Sequence, residues 1–244
     1  MLCLHETAAT SAVWRALADK LGAGARLVAY DRPGWGESPA PETFARTTVG
    51  EQAAIAAAVL ADREAAPAVL CGAGLGAVAA LDLSVRRPEL VSGCVLIEPP
   101  LLAFVPAATE ALATAADLVR DAVADGGREA ALDHYLGGGL GVLSAGAERI
   151  PAPARAGGPR AVQALFGELA AVPGWELPLG EFGVAAVPSL VVVGTDTHPL
   201  VREASYGLSR ALARCELRTT GPGLPHHDQA ADLAALVIEV AESA

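Results

Sequence analysis

The sequence predicts an α/β protein, with a mainly parallel, twisted sheet flanked by helices and interrupted once by a helical insertion. Three observations predict it. Strand-sized apolar runs alternate with helix-sized amphipathic or Ala-rich stretches, several of those runs are nearly continuous in Val, Leu and Ile, and the alternation lapses between about Pro99 and Val187. Nearly continuous apolar strands belong to sheets covered on both faces. The 244 residues fit one large domain, or a core carrying an inserted lid.

The strand runs lie at Leu2–His5, Leu27–Tyr30, Ala68–Cys71, Cys94–Glu98, Ser189–Val193 and Cys215–Thr219. Helical stretches fall between them at Ser11–Leu21, Thr48–Asp62, Leu75–Arg87, Val201–Arg214 and His227–Glu242. Within the interruption, helical patterns at Thr109–Ala124 and Arg128–Leu136 precede a Gly/Pro-rich stretch, Gly137–Pro159, that reads as irregular. The predicted organisation is therefore a core of residues 1–99 and 187–244, with a helical lid at 100–186 whose movement would admit substrate.

Composition narrows the partners. Lys plus Arg number 17 and Asp plus Glu 28, a formal charge of −11, and 52% of residues are hydrophobic while 18% are charged. No cluster of Lys and Arg offers the concentrated positive charge that nucleic acid or an anionic membrane requires, so an apolar or aromatic small molecule is the expected ligand. No apolar run approaches the roughly 18 residues of a spanning helix, and no signal peptide is evident, which predicts a cytoplasmic protein. Cys3, Cys71, Cys94 and Cys215 sit in apolar runs without a Cys-x-x-Cys pair and read as buried thiols, so neither metal nor cofactor is expected.

Ligands of an open parallel sheet bind beyond the carboxyl ends of its strands. Here those ends carry His5-Glu6, Tyr30-Asp31-Arg32, Gly72-Ala73-Gly74, Glu98-Pro99-Pro100 and Gly194-Thr195-Asp196. The segment Val69 to Ala77, running into a helix that ends near Arg87-Pro88, resembles the strand, sharp elbow and helix of the α/β-hydrolase superfamily. The resemblance covers nearly the whole chain. Leu4-His5-Glu6 stands at that family's oxyanion turn, and Asp31-Arg32-Pro33-Gly34-Trp35-Gly36-Glu37-Ser38 closely matches its Asp-Arg-x-Gly-x-Gly-x-Ser loop. Relatives commonly begin with a hairpin before the oxyanion strand, whereas Met1 already lies within it. Either the start has been trimmed or the sheet lacks its usual edge; in the second case Leu27–Tyr30 is exposed at one side, from which a homodimer is expected.

Two departures from the family pattern decide the chemistry. The elbow of Gly-x-Ser-x-Gly carries Gly74 where the nucleophilic serine belongs. In the C-terminal turn Gly221 to His227, ungapped alignment puts Leu224 at the histidine position, while a shift of two or three residues would promote His226 or His227. Asp196 keeps the place of the acid. Deleting Ser or His from a serine hydrolase costs on the order of 10⁶ in turnover, about 8 kcal/mol, so ordinary acyl-enzyme hydrolysis is not expected.

The resemblance also implies what survives. The oxyanion hole of this fold uses backbone N–H groups, here those of Leu75 and of Glu6 or Thr7, and loss of a serine side chain removes neither. A site that stabilises an oxyanion without attacking a carbonyl suits enolate chemistry. The expected function is therefore non-hydrolytic: carbon–carbon bond formation or cyclisation, first of all conjugate addition, on a polyketide-like natural product. A ligand-binding pseudoenzyme and a residual hydrolase with a displaced histidine are the alternatives.

Candidate catalytic residues are Glu6, a proton acceptor particularly if an apolar pocket raises its pKa, together with His226, Asp196 and Glu98. Gly74, His5, Trp35 and Leu224 are candidate contacts to substrate. His227 with Asp228, His198, and Asp133, His134 and Tyr135 in the lid each have a reading as ordinary surface or capping residues. Cys71 reads as a strand spacer. Gly72-x-Gly74-x-x-Ala77, with Glu98 ending the next strand, also satisfies a loose dinucleotide-binding fingerprint, but it does so in the third rather than the first strand–helix unit.

Overall fold

Among the described residues, six parallel strands form one sheet in the order β2-β1-β3-β4-β5-β6. They are β1 (Leu2–Leu4), β2 (Val28–Tyr30), β3 (Ala68–Ala73), β4 (Val91–Ile97), β5 (Ser189–Gly194) and β6 (Cys215–Thr220). The computed structural model describes residues 1–40, 46–176, 179–184 and 186–243. Side chains alternate across the sheet, as the two-residue period of a strand requires. Cys3, Cys71, Val95 and Val192 enter the hydrophobic cluster on one face. Leu4, Leu70, Leu96 and Val191 enter the cluster on the other.

Helices α1 (Arg15–Leu21) and α8 (Ala230–Glu242) cover the first face through Leu17, Leu233 and Val237. Helices α2 (Val49–Asp62), α3 (Leu75–Arg86) and α7 (Pro199–Ala211) cover the second through Leu60, Leu81 and Leu208. A capping box starts α2: Thr48 Oγ1 accepts from the Glu51 N–H, and the Glu51 carboxylate accepts from the Thr48 N–H at 2.7 Å. Helix α3 is buried from Leu75 to Ser84, and its small Ala side chains let it lie close against the sheet.

Between β4 and β5 lie α4 (Ala108–Leu136), α5 (Gly158–Glu168) and the short α6 (Leu179–Phe182). Gly126 and Gly127 (φ 78°) take non-helical conformations within α4, so the two helices predicted at Thr109–Ala124 and Arg128–Leu136 are joined across a kink. Helix α5 was not predicted, because Gly157-Gly158-Pro159 read as irregular; Pro159 instead occupies the first turn, where its missing N–H is not needed. The predicted lid range includes residues 177, 178 and 185, which lie outside the described residues. Backbone hydrogen bonds from Ala156 N to Ala8 O and from Thr10 N to Ala154 O, both 2.9 Å, tie this insertion to the turn after β1.

The last predicted helix starts later than expected, at Ala230, because residues 224–229 coil into turns on the Leu224 carbonyl. Strand β2 lies at one margin of the sheet and β6 at the other. Among the described residues, no helix is long and apolar enough to cross a membrane.

Candidate active site

The turn from β3 into α3 pivots on Gly74, whose φ of 53° and ψ of −123° suit glycine far better than any residue with a Cβ. Its flanking glycines are steric necessities. A Cβ on Gly72 would stand 2.3 Å from the Gly76 carbonyl oxygen, and one on Gly76 would stand 2.3 Å from the Leu4 carbonyl oxygen. A Cβ on Gly74 itself would lie 2.9 Å from Glu6 Cβ, so Glu6 occupies the space beside the attacking position. The first amides of α3, beginning with Leu75, have no preceding turn to bond and point their partial positive charge at this space.

This packing carries a prediction. Gly74→Ser is expected to lower the unfolding free energy by about 1–3 kcal/mol through overpacking, read by urea denaturation, and to give no esterase activity toward p-nitrophenyl acetate. Adding Glu6→Gly should restore part of the stability, a non-additivity that residues in contact show. A double variant no more stable than the single one would contradict the steric relation.

Glu6 and His226 meet in front of the elbow. Glu6 Oε1 lies 3.2 Å from His226 Nε2. The side chains are 15% and 1% exposed. Burial pushes the Glu6 carboxyl up, but the His226 ring, by charge and by hydrogen bond, and the residue's own backbone N–H outweigh it and hold the pKa below the usual carboxylate range. This corrects the expectation of a raised value: the pocket holds an ionised carboxylate. The His226 ring packs on Trp14 with centroids 4.7 Å apart. Two buried atoms of the pair, Glu6 Oε2 and His226 Nδ1, have no hydrogen-bond partner among the described residues.

The acid at the family position is engaged elsewhere. Both Asp196 oxygens accept from the Gly223 N–H at 3.0 Å, and Oδ1 also meets Arg149 Nη1 at 3.3 Å. Asp196 thus braces the turn that carries Leu224 and His226 rather than contacting the imidazole. Glu98, at the end of β4 with φ of 46°, pairs with Arg149 Nη2 at 2.6 Å and accepts from Thr197 Oγ1 at 2.5 Å. Arg149, from the insertion, also donates to the Gly223 carbonyl at 3.0 Å. One lid guanidinium therefore joins the ends of β4 and β5 to the histidine turn.

His5 supports the floor from behind. Its Nε2 accepts from the Arg32 N–H at 2.9 Å, so its proton sits on Nδ1, which donates to the Glu6 carbonyl at 2.7 Å. Complete burial, followed by the nearby Arg32 charge, lowers its pKa to about 4. Between pH 6.5 and 4 the unfolded chain therefore binds a proton on this ring that the folded chain refuses, and acidification across that window destabilises the fold by up to about 3 kcal/mol. The lowered Glu6 carboxyl acts in the same direction at lower pH. Unfolding free energies of the wild type and His5→Gln should converge as pH falls from 7 to 4; a constant difference would remove His5 from the acid response.

The Arg32 side chain donates through Nε to the His5 carbonyl at 2.8 Å and forms a buried ion pair with Glu168 of α5. Glu168 also accepts from Trp35 Nε1 at 2.8 Å and Thr7 Oγ1 at 2.7 Å. The lid is thereby bonded to the oxyanion turn itself. Trp35, expected as a pocket wall, is wholly buried in this network, and His5 is likewise behind the wall rather than on it.

A cavity of about 580 Å³ opens over these groups, with Glu6, Gly74, Leu75, Glu98, Leu224 and His226 among its lining residues. The structure brings together Glu6, His226, Gly74, Leu75 and Leu224, and sets Glu98 and Asp196 apart in the Arg149 cluster. Sequence reasoning missed Arg149, Glu168 and Trp14. Neither ion pair has a local signal, since Arg149 lies 51 residues from Glu98 and Arg32 lies 136 from Glu168. Tyr135 is buried on the cavity wall, and burial raises its phenol. His227 pairs with Asp228 at the surface, and His198 caps α7 by accepting from Leu200 N.

Comparison with known proteins agrees with this geometry. The alpha/beta hydrolase family profile matches residues 1–236. An esterase from Thermogutta terrifontis superposes with a TM-score of 0.77 at 15% identity, covering 99% of this chain and 89% of its own. MenH from S. aureus gives 0.76 at 14%, covering 99% and 92%. The thioesterase domain from the curacin biosynthetic pathway gives 0.66 at 22%, covering 97% and 90%. No curated protein sequence matches. With the elbow, the oxyanion turn and the parallel sheet all in their places, the chain belongs to the alpha/beta hydrolase family.

Proposed function

We propose that this chain is a non-hydrolytic enzyme that removes a proton from carbon next to a carbonyl, in an apolar or aromatic natural product, and so promotes carbon–carbon bond formation or cyclisation by conjugate addition. The observation that carries the reading is the Glu6 carboxylate, ionised and hydrogen-bonded to His226, standing beside an elbow with no nucleophile. Glu6 Oε2 takes the proton, the C–H electron pair moves onto the carbonyl oxygen, and the Leu75 and Thr7 amides stabilise the enolate. The enolate carbon then bonds to the acceptor alkene carbon, and the proton returns from Glu6 to the carbanion formed there. His226 holds the carboxylate in place and shares the proton. No redox partner is needed.

The test is deuterium uptake into the methyl group of 2-acetylnaphthalene in D₂O, followed by NMR. Uptake above the buffer rate, at a rate set by enzyme concentration, supports the reading; uptake at the buffer rate refutes it. A second reading is hydrolysis by a water that Glu6 and His226 activate, favoured by the esterase and thioesterase names among the structural neighbours. It predicts release of acid from p-nitrophenyl esters without a covalent intermediate.

A further inference from the structure

We infer that the pocket selects an uncharged ligand with a hydrogen-bond-donating head on an aromatic body, and rejects carboxylates and phosphates of the same shape. The inference rests on the assignment of Glu6 and His226 to the head of the pocket, and three features of the cavity carry it.

The first is the unmet hydrogen bonding at the head. Glu6 Oε2 and His226 Nδ1 are buried without partners among the described residues. Oε2 of the carboxylate can only accept. A buried acceptor requires a donor, and an enol, phenol or amide supplies one. A carboxylate or phosphate brings only more acceptors.

The second is charge. Glu6, Glu98 and Glu168 line the cavity, with Asp196 directly behind Glu98's partner. Against these four acids stand two guanidiniums, and both are occupied: Arg32 by Glu168, and Arg149 by Glu98 and Asp196 together. Among the described residues on the wall, no guanidinium or ammonium remains free for an anionic head. The α3 amides facing this space carry only partial positive charge, so an anion would enter a confined, net-negative site with no full counter-charge, the arrangement by which a pocket discriminates through repulsion.

The third is the wall away from the head. Phe104, Trp175 and Phe182 line it, with Phe182 centred 6.2 Å from Phe104 and 6.0 Å from Trp175. The Trp175 N–H is held by Asp82 Oδ1 at 2.8 Å, which fixes the indole. Fixed tilted rings offer faces and edges to an aromatic ligand.

The experiment compares 2-naphthamide with 2-naphthoate, which share a shape and differ in charge and in the amide donor. Calorimetry at pH 7.5 should give a dissociation constant at least tenfold lower for the amide. Glu6→Gln should reduce that ratio by tightening naphthoate, and Phe104→Ala should weaken the amide. Naphthoate binding to the wild type as tightly as the amide, or no amide binding up to its solubility, overturns the inference. A ratio of tenfold or more without deuterium uptake would leave this selectivity standing and remove the proposed proton transfer. Uptake without the ratio would do the reverse.

Discussion

Glu6→Gln is expected to lower enzyme-dependent deuterium uptake into 2-acetylnaphthalene by about 10²–10⁴-fold, the range over which a positioned general base contributes. That range corresponds to about 3–5 kcal/mol of barrier. Glutamine keeps the shape of the side chain and still offers an oxygen toward His226 Nε2, so the substitution removes basicity while sparing the packing around Gly74. Asp196→Asn is the informative control. Asp196 contacts the Gly223 amide and Arg149, not the imidazole, and asparagine retains an acceptor for the amide. Its uptake rate should stay within a few-fold of wild type. A large loss in Asp196→Asn with a small one in Glu6→Gln would restore the ordinary family division of labour.

Glu168→Ala is expected to destabilise the protein by about 3–5 kcal/mol, because it strands a guanidinium in the interior. The two side chains of this pair are 0% and 1% exposed. The same substitution removes the acceptor of the Trp35 indole N–H and the Thr7 hydroxyl, so the loss reaches the loop after β2 and the oxyanion turn together. Urea denaturation at pH 7 measures it. Arg87→Ala breaks an exposed pair with Glu89 and should leave the midpoint essentially unchanged. Equal effects from the two substitutions would show that burial does not govern the Arg32 pair.

The contrast between these pairs also explains what was legible in the sequence. Strands and core helices were readable because burial on two faces leaves an unbroken apolar record in each strand and the helical period beside it. The elbow was readable because Gly72, Gly74 and Gly76 are close in sequence and each answers a local steric demand. The lid was less so. Gly126 and Gly127 interrupt α4, and Gly157-Gly158-Pro159 looked like irregular chain although it opens α5. Least legible was the partnership of charges. Asp196 kept its place in the pattern but took Gly223 and Arg149 as partners, and Glu6 acquired a lowered rather than raised pKa because its partner came from 220 residues away. A motif records where a residue stands on the fold, whereas its protonation depends on which neighbours fold against it. Trp35 shows the same limit: its loop matched the family, yet the Glu168 carboxylate drew the indole into the interior.

The central claim is that the imidazole of this site answers to Glu6 and not to Asp196. Ring-nitrogen NMR of His226 in ¹⁵N-labelled protein tests it without any substrate. The account predicts that Glu6→Gln moves the His226 Nε2 resonance by several ppm, while Asp196→Asn leaves both ring nitrogens where they are in the wild type. A His226 Nε2 resonance indifferent to Glu6→Gln, with the ring nitrogens displaced by Asp196→Asn, would contradict it.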